Sequence, residues 1–235
     1  MCLSIDLSPL SFFSFFAIFF SFTPSSSFFL LSFSSFLSPH SKGNSGAKFK
    51  EKLSPLIQAT QKLNVVTEWS FPNGPYEILD RPGTFQWWKL QPGVRSYQAL
   101  TYEGIEESFN LILQMPPYDV VIGHSQGAIF ASILLVQNIL MNEQALPKAA
   151  ILSGAAWPNP YGAEMMKLED NFADISNRLF SVHCIGSNDT INPPNDARRL
   201  CRLFQGTELV HDKGHTIPLA PLDIRLYLDA IKKLL

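Results

Sequence analysis

Ser125 lies in Gly123-His124-Ser125-Gln126-Gly127, after the apolar run Tyr118–Ile122 and before the Ala/Ile/Leu-rich stretch 128–135. G-x-S-x-G between a strand and a helix describes a very tight turn that lifts the serine hydroxyl clear of a sheet. The flanking glycines leave room for that turn, and the helix N-terminus behind it favours developing negative charge. The chemistry implied is nucleophilic attack by Ser125, with the Gln126 N–H as a first oxyanion donor. A serine that merely caps a buried helix is the plain alternative.

A serine alcohol is a weak nucleophile and needs a base, itself oriented by an acid, further along the chain. The five histidines are His40, His124, His183, His211 and His215. His40 and His124 fall outside the Ser–acid–His order. His183 sits in the apolar run Leu179–Ile185 and reads as a satisfied core residue, and His211 belongs to a strand. His215 follows Lys213-Gly214 in a loop and is the expected base. The acid should leave the strand between serine and histidine, and Asp189 in the turn Gly186-Ser187-Asn188-Asp189 has that position. It would fix the imidazole tautomer; a turn or helix-capping role is its alternative. Asp196 fits the first turn of the following helix better.

The elbow, the Asp189 turn and Gly214-His215-Thr216-Ile217-Pro218 together resemble the FSH-type family of serine hydrolases. The likeness runs from about residue 40 to the C-terminus and takes in Phe49–Leu53, Trp87-Trp88 and Gly104–Ser108. It implies a small α/β-hydrolase with carboxylesterase activity, with Ser125, Asp189 and His215 in the triad roles. It also implies a His-Gly turn after the first strand, with the next residue giving a second oxyanion N–H. Here that turn is His40-Ser41-Lys42, so Ser41 replaces the glycine and Lys42 would be the donor. Serine restricts φ there, which predicts a defective turn and low activity.

These residues need an α/β scaffold to carry them. The chain alternates helical and strand-like segments: Phe49–Leu63 helical, Val65–Trp69 extended, Thr101–Leu113 helical, then strands at 118–122, 149–153, 179–185 and 207–211. A helix over 193–204 and an amphipathic one over 222–235 complete the pattern. It predicts an α/β-hydrolase-like, mostly parallel sheet with helices on both faces. Two irregular stretches, 71–98 and 155–175, should overlie the C-terminal edge of that sheet, where open α/β folds bind ligands. Trp87, Trp88 and Trp157 within them are expected to line an apolar acyl pocket; packing down by their own aromatics is the alternative for Trp87 and Trp88.

Composition is compatible. The chain has 235 residues, 46% of them hydrophobic, and a net charge of −2, with no electrostatic footprint for nucleic acid. Cys2, Cys184 and Cys201 show no metal or disulfide spacing, and no cofactor motif is present, so neither metal nor cofactor is expected. Residues 1–41 hold eleven of the nineteen phenylalanines, interleaved with serine, and Asp6 is the one charged side chain before Lys42. They read as a targeting segment, an anchor or a misassigned start, ahead of a hydrolase domain over 42–235. Membrane contact is expected only through this segment, and location is cytoplasmic if it is an artefact, otherwise secretory or organellar. Ser35–Pro39 is expected to be a poor central strand because proline cannot donate to a ladder, so a chain begun near His40 should keep its fold.

The expected activity is hydrolysis of a small-molecule carboxylic ester through an acyl-enzyme. A thioesterase or peptidase on the same residues, or a catalytically impaired ligand-binding member, are the alternatives.

Overall fold

A computed structural model describes residues 34–62, 67–141, 147–169 and 179–232. Six strands, β1 (Ser34–Leu37), β2 (Thr67–Ser70), β5 (Val120–His124), β6 (Ala149–Ser153), β7 (Phe180–Gly186) and β8 (Thr207–His211), form one sheet in the order β2-β1-β5-β6-β7-β8. Every pairing in it is parallel. β3 (Tyr76–Glu77) and β4 (Phe85–Gln86) make a separate short antiparallel pair.

Alternate side chains of each strand enter different cores, as the two-residue period of a strand requires. Phe36, Val120, Ile122, Ile151 and Cys184 pack with Phe49 and Leu56, from α1 (Gly46–Lys52) and α2 (Ser54–Gln61), and with Tyr227 of α7 (Pro221–Lys232). Leu37, Val121, Ala150 and Leu152 face the other way. They meet α3 (Ile105–Leu113), α4 (Gln126–Leu140), α5 (Gly162–Glu169) and α6 (Pro194–Leu203). Helices on both faces bury the inner strands, with β5 and β6 buried throughout, whereas the edge strand β8 keeps Thr207, Glu208 and Val210 exposed. The expected helix over 49–63 is two helices, broken at Leu53, with Pro55 at the start of α2, where its missing N–H costs nothing.

One expectation fails at the N-terminal side. β1 is an inner strand, paired to β2 through Ser34–Leu37 and to β5 through Phe36 and Leu37. Pro39 lies beyond the end of β1, so its missing N–H removes no ladder bond, and its carbonyl accepts from His124 N–H at 3.4 Å. Asp119 adds a clamp, with Ser35 N–H donating to Oδ2 at 3.0 Å. The boundary at 41/42 therefore moves: residues 34–41 belong to the sheet and its first turn, and a chain begun at His40 would lack an inner strand. The targeting reading of the segment falls mostly on residues 1–33, outside the described residues. No helix among the described residues is long and apolar enough to cross a membrane.

The chain runs from β1 to β2 on one side and then returns to β5 on the other. The crevice at that reversal, outside the carboxyl ends of the strands, is where open α/β sheets take ligands. The turns after β1, β5, β6, β7 and β8 all converge there.

Candidate active site

Ser125 joins β5 to α4 with φ 55° and ψ −119°, a conformation side chains rarely adopt. A Cβ on Gly123 would come within 2.6 Å of Ala128 Cα, and one on Gly127 would run into the carbonyls of Pro39 and His40. Both glycines are thus required by close backbone approach. Ser125 N–H donates to Ser153 O at 2.9 Å, anchoring the elbow to β6.

Ser125, His215 and Asp189 are brought together. His215 Nδ1 is 2.7 Å from Asp189 Oδ2, and His215 Nε2 is 2.8 Å from Ser125 Oγ. The other carboxylate oxygen, Oδ1, accepts from Ile191 N–H at 2.8 Å and Asn192 N–H at 3.0 Å. An ionised carboxylate only accepts, so Nδ1 carries the imidazole proton and Nε2 offers a lone pair to the serine hydroxyl. The Asp189 side chain is 3% exposed and that of His215 17%. His211, the competing histidine, accepts from Lys213 N–H at 3.2 Å through Nδ1 and makes no contact with Ser125. Asp196 accepts from Trp157 N–H at 3.3 Å, in the first turn of α6 as expected.

Three supporting residues escaped the sequence reading. Gly154 follows β6 at φ 57°, and a Cβ there would lie 3.0 Å from His215 Cε1 and 3.1 Å from Nδ1. Any larger residue would press on the imidazole and would sit at a backbone conformation that side chains rarely adopt. Asn192, 5% exposed, donates through Nδ2 to Gly154 O at 2.7 Å, tying the Asp189 turn to this glycine. The third is the side chain of Gln126. Its Oε1 accepts from Trp87 N–H at 2.9 Å and its Nε2 donates to Trp88 O at 3.1 Å, a buried clamp on the Trp87–Trp88 backbone. A side chain engaged with an irregular backbone segment 38 or 39 residues away leaves no periodic trace in the sequence.

The tryptophans do not line the cavity, contrary to the apolar-pocket expectation. Trp87 and Trp88 are wholly buried. Trp87 stacks on Phe130 at 4.9 Å, and Trp88 stacks on Tyr102 at 4.2 Å. Trp157 is 5% exposed and lies under the Arg199 guanidinium, 3.4 Å from its ring centre. Burying large aromatic surface inside the domain outweighs presenting it to a substrate. Trp87 has a different role: its Nε1–H donates to His40 O at 2.8 Å, so it holds the turn after β1.

That turn is also fixed by His40, which is buried. Gly74 N–H donates to Nε2 at 3.1 Å, so Nε2 is the acceptor nitrogen and Nδ1–H donates to Ser41 O at 2.8 Å. Burial holds the ring below the usual histidine range, in keeping with this neutral form. Asn44 N–H also donates to Ser41 O, at 3.2 Å. In a trans peptide the N–H points opposite to the carbonyl, so pinning Ser41 O aims the Lys42 N–H the other way. Neither that N–H nor the Gln126 N–H has an acceptor among the described residues. Ser41 itself is outside the left-handed region, as Ser125 and Gln205 are the non-glycine residues described there. The turn does not need glycine, and the expected strain from Ser41 is absent.

A cavity of about 610 Å³ opens over these groups, lined by Ser125, Gln126, His215 and Lys42 with residues of the 78–96 segment. His124 beside it is pushed down to about 3, mainly by burial and then by the neighbouring His215, so it stays neutral. His183 is likewise pushed to about 3 by burial in β7, far from the cavity lining. It is only half satisfied, with Nε2 near Ser181 Oγ at 3.2 Å and Nδ1 unpartnered. Among the described residues no group of His, Cys, Asp and Glu side chains has the arrangement of a metal site.

A family model described as "Serine hydrolase (FSH1)" matches residues 35–224. Among curated proteins, the chain is 27% identical over 206 residues to "Esterase OVCA2" of Bos taurus, covering 77% of this chain and 87% of that protein. The Homo sapiens protein of that name is 26% identical over the same span. Solved structures with the same fold include esterase PE8, with TM-score 0.59 and 19% identity over 86% of this chain and 93% of that one. The Bacillus cereus carboxylesterase gives TM-score 0.52 and 19% identity over 85% and 90%. The match begins at β1, agreeing with the corrected boundary. With the elbow, the parallel sheet and the family match over most of its length, this chain belongs to the FSH1 family of serine hydrolases, an esterase-like enzyme on an α/β-hydrolase fold.

Proposed function

We propose that this enzyme cleaves carboxylic esters of small molecules through Ser125, His215 and Asp189 and a covalent acyl-enzyme. The observation that carries the reading is the continuous hydrogen-bonded run from Asp189 Oδ2 through His215 to Ser125 Oγ, at 2.7 and 2.8 Å. His215 Nε2 takes the Ser125 proton as Oγ bonds to the acyl carbon, and the carbonyl oxygen becomes an oxyanion. The N–H groups of Gln126 and Lys42 receive that charge. As the tetrahedral centre collapses, the ester C–O bond breaks and His215 returns its proton to the departing alkoxide. Water, deprotonated by the same Nε2, then attacks the acyl carbon, and the carboxylic acid leaves with Oγ again protonated. Asp189 accepts the Nδ1–H throughout and balances the imidazolium that forms twice per turnover.

Nothing in this sequence of steps uses a cofactor. The test is labelling by a fluorophosphonate probe together with hydrolysis of p-nitrophenyl acetate. Wild type should label and turn over, whereas Ser125→Ala should do neither and keep its melting temperature. A loss of roughly 10³–10⁶ in kcat is expected. Near wild-type hydrolysis by Ser125→Ala would assign the nucleophile elsewhere.

A further inference from the structure

The cavity rim departs from what an apolar acyl pocket needs. Lys42, Arg81 and Arg95 line it together with Asp80, three cations against one carboxylate in a chain whose net charge is −2. Arg81 reaches the turn after β1: a Cβ built on Gly43 would lie 3.9 Å from its Nη1. Its nearest carboxylate is Asp80, at 3.9 Å with both side chains largely exposed, an arrangement worth little. Among the described residues neither Lys42 nor Arg95 has an ion-pair partner. Like charges gathered without partners repel one another. The Lys42 ammonium registers this: it is held below the usual lysine range by burial first and then by Arg81 and Arg95, with Asp80 opposing.

We infer that the cavity selects esters carrying an anionic group, carboxylate or phosphate, which Lys42, Arg81 and Arg95 receive while the ester carbonyl sits at Ser125. This rests on Ser125 being the nucleophile. An anion relieves the mutual repulsion of the three cations, and two guanidinium forks suit the oxygens of either group. Ile78, Leu90 and Val94, which also line the cavity, take the hydrocarbon between the two ends of the substrate. The charged ends lie at a mouth open to solvent, so their contribution is screened by salt.

Steady-state kinetics on matched esters test this. On the acyl side, mono-p-nitrophenyl glutarate is compared with p-nitrophenyl valerate. On the alcohol side, 4-acetoxybenzoate and 4-acetoxyphenyl phosphate are compared with phenyl acetate. Wild type should favour the anionic member of at least one pair by about tenfold in kcat/KM, chiefly through KM, the size three exposed charge pairs supply. The favoured arm identifies the anion and its side of the ester. The ratio of anionic to neutral kcat/KM should fall to within about twofold of unity in Arg81→Gln/Arg95→Gln, and in wild type at 1 M salt. Turnover of the neutral esters with no anionic preference on any arm overturns the inference and leaves the hydrolase reading standing. Absence of turnover of every ester, with Ser125 unlabelled by fluorophosphonate, overturns the hydrolase reading and this one with it.

Discussion

Two rims face each other across the cavity and are held by different means. Ser125, Gly154, Asp189 and His215 stand at the ends of β5, β6, β7 and β8, adjacent strands of one parallel sheet. Their positions are set by short backbone bonds such as Ser125 N–H to Ser153 O and by the Asn192 bridge to Gly154. The opposite rim comes from the turn after β1 and the 78–96 segment, which lie outside the six strands and are joined to each other by Gly43 N–H to Phe85 O at 2.9 Å and Phe85 N–H to Asn44 O at 2.7 Å. Side chains brace it further: His40 on the adjacent Ser41, Trp87 on His40, and Gln126 on Trp87 and Trp88. Groups that must meet within a few tenths of an ångström hang from strands. Groups that sort substrates by charge ride on loops, where exchange of a side chain disturbs no ladder.

Variants on the sheet side should break this arrangement hardest. Asp189→Asn keeps an oxygen for the Ile191 and Asn192 N–H groups but lets the imidazole settle in the wrong tautomer. A loss of roughly 10³–10⁴ in kcat is expected, at nearly unchanged melting temperature. A loss below tenfold would mean that Asp189 does not orient His215. Gly154→Ala introduces a Cβ about 3 Å from the imidazole and a side chain at φ 57°. A drop of about 10²-fold in kcat is expected from displacing His215 by a fraction of an ångström, together with a modest loss of stability. Wild-type kcat in this variant would show that the ring has room to retreat.

On the loop side the effect should be smaller and of a different kind. His40→Ala removes the shorter of the two bonds that pin Ser41 O, leaving the Asn44 N–H at 3.2 Å, so the aim of the Lys42 N–H loosens while every group at Ser125 remains. A fall of about 10- to 100-fold in kcat with little change in KM is expected, below the 10²–10³ that outright loss of an oxyanion donor costs. His40→Asn, which can still donate to a nearby carbonyl, should recover part of it. A change in KM alone would place His40 in binding rather than in orientation of the donor.

The smallest effect concerns acid stability, to which both rims and the core contribute. His124 and His183 stay neutral in the native fold down to about 3, against an ordinary value of 6.5, through burial. The unfolded chain takes up those protons as pH falls below about 6.5. It then binds more protons than the native state, and stability declines with falling pH across that window. His183→Leu removes one such site, whose Nδ1 has no partner to lose. Its melting temperature should therefore fall less steeply between pH 7 and 4.5 than that of wild type. Equal slopes would mean that His183 titrates normally.

The parts legible in the sequence were those dictated by local physics. A turn tight enough to present Ser125 needs glycine on both sides, and strand residues buried on both faces need uninterrupted apolar runs. Strands 149–153 and 207–211 match the expected bounds residue for residue. The histidine order and the polar turn at 186–189 singled out the residues that meet at Ser125, because parallel strands deliver their C-terminal turns to one edge. Tertiary structure alone decided the rest. Whether Trp87 and Trp88 face a ligand or a core depends on Phe130 and Tyr102, 43 and 14 positions onward. Whether Ser34–Leu37 joins the sheet depends on β2 and β5 offering bonds on both sides, so a proline two residues past its end carries no penalty. Gly154 shows no reason to be glycine until His215 arrives from 61 residues away. Periodicity and turn chemistry act over a few residues, whereas burial, charge convergence and close approach are properties of pairs that only the folded chain brings together.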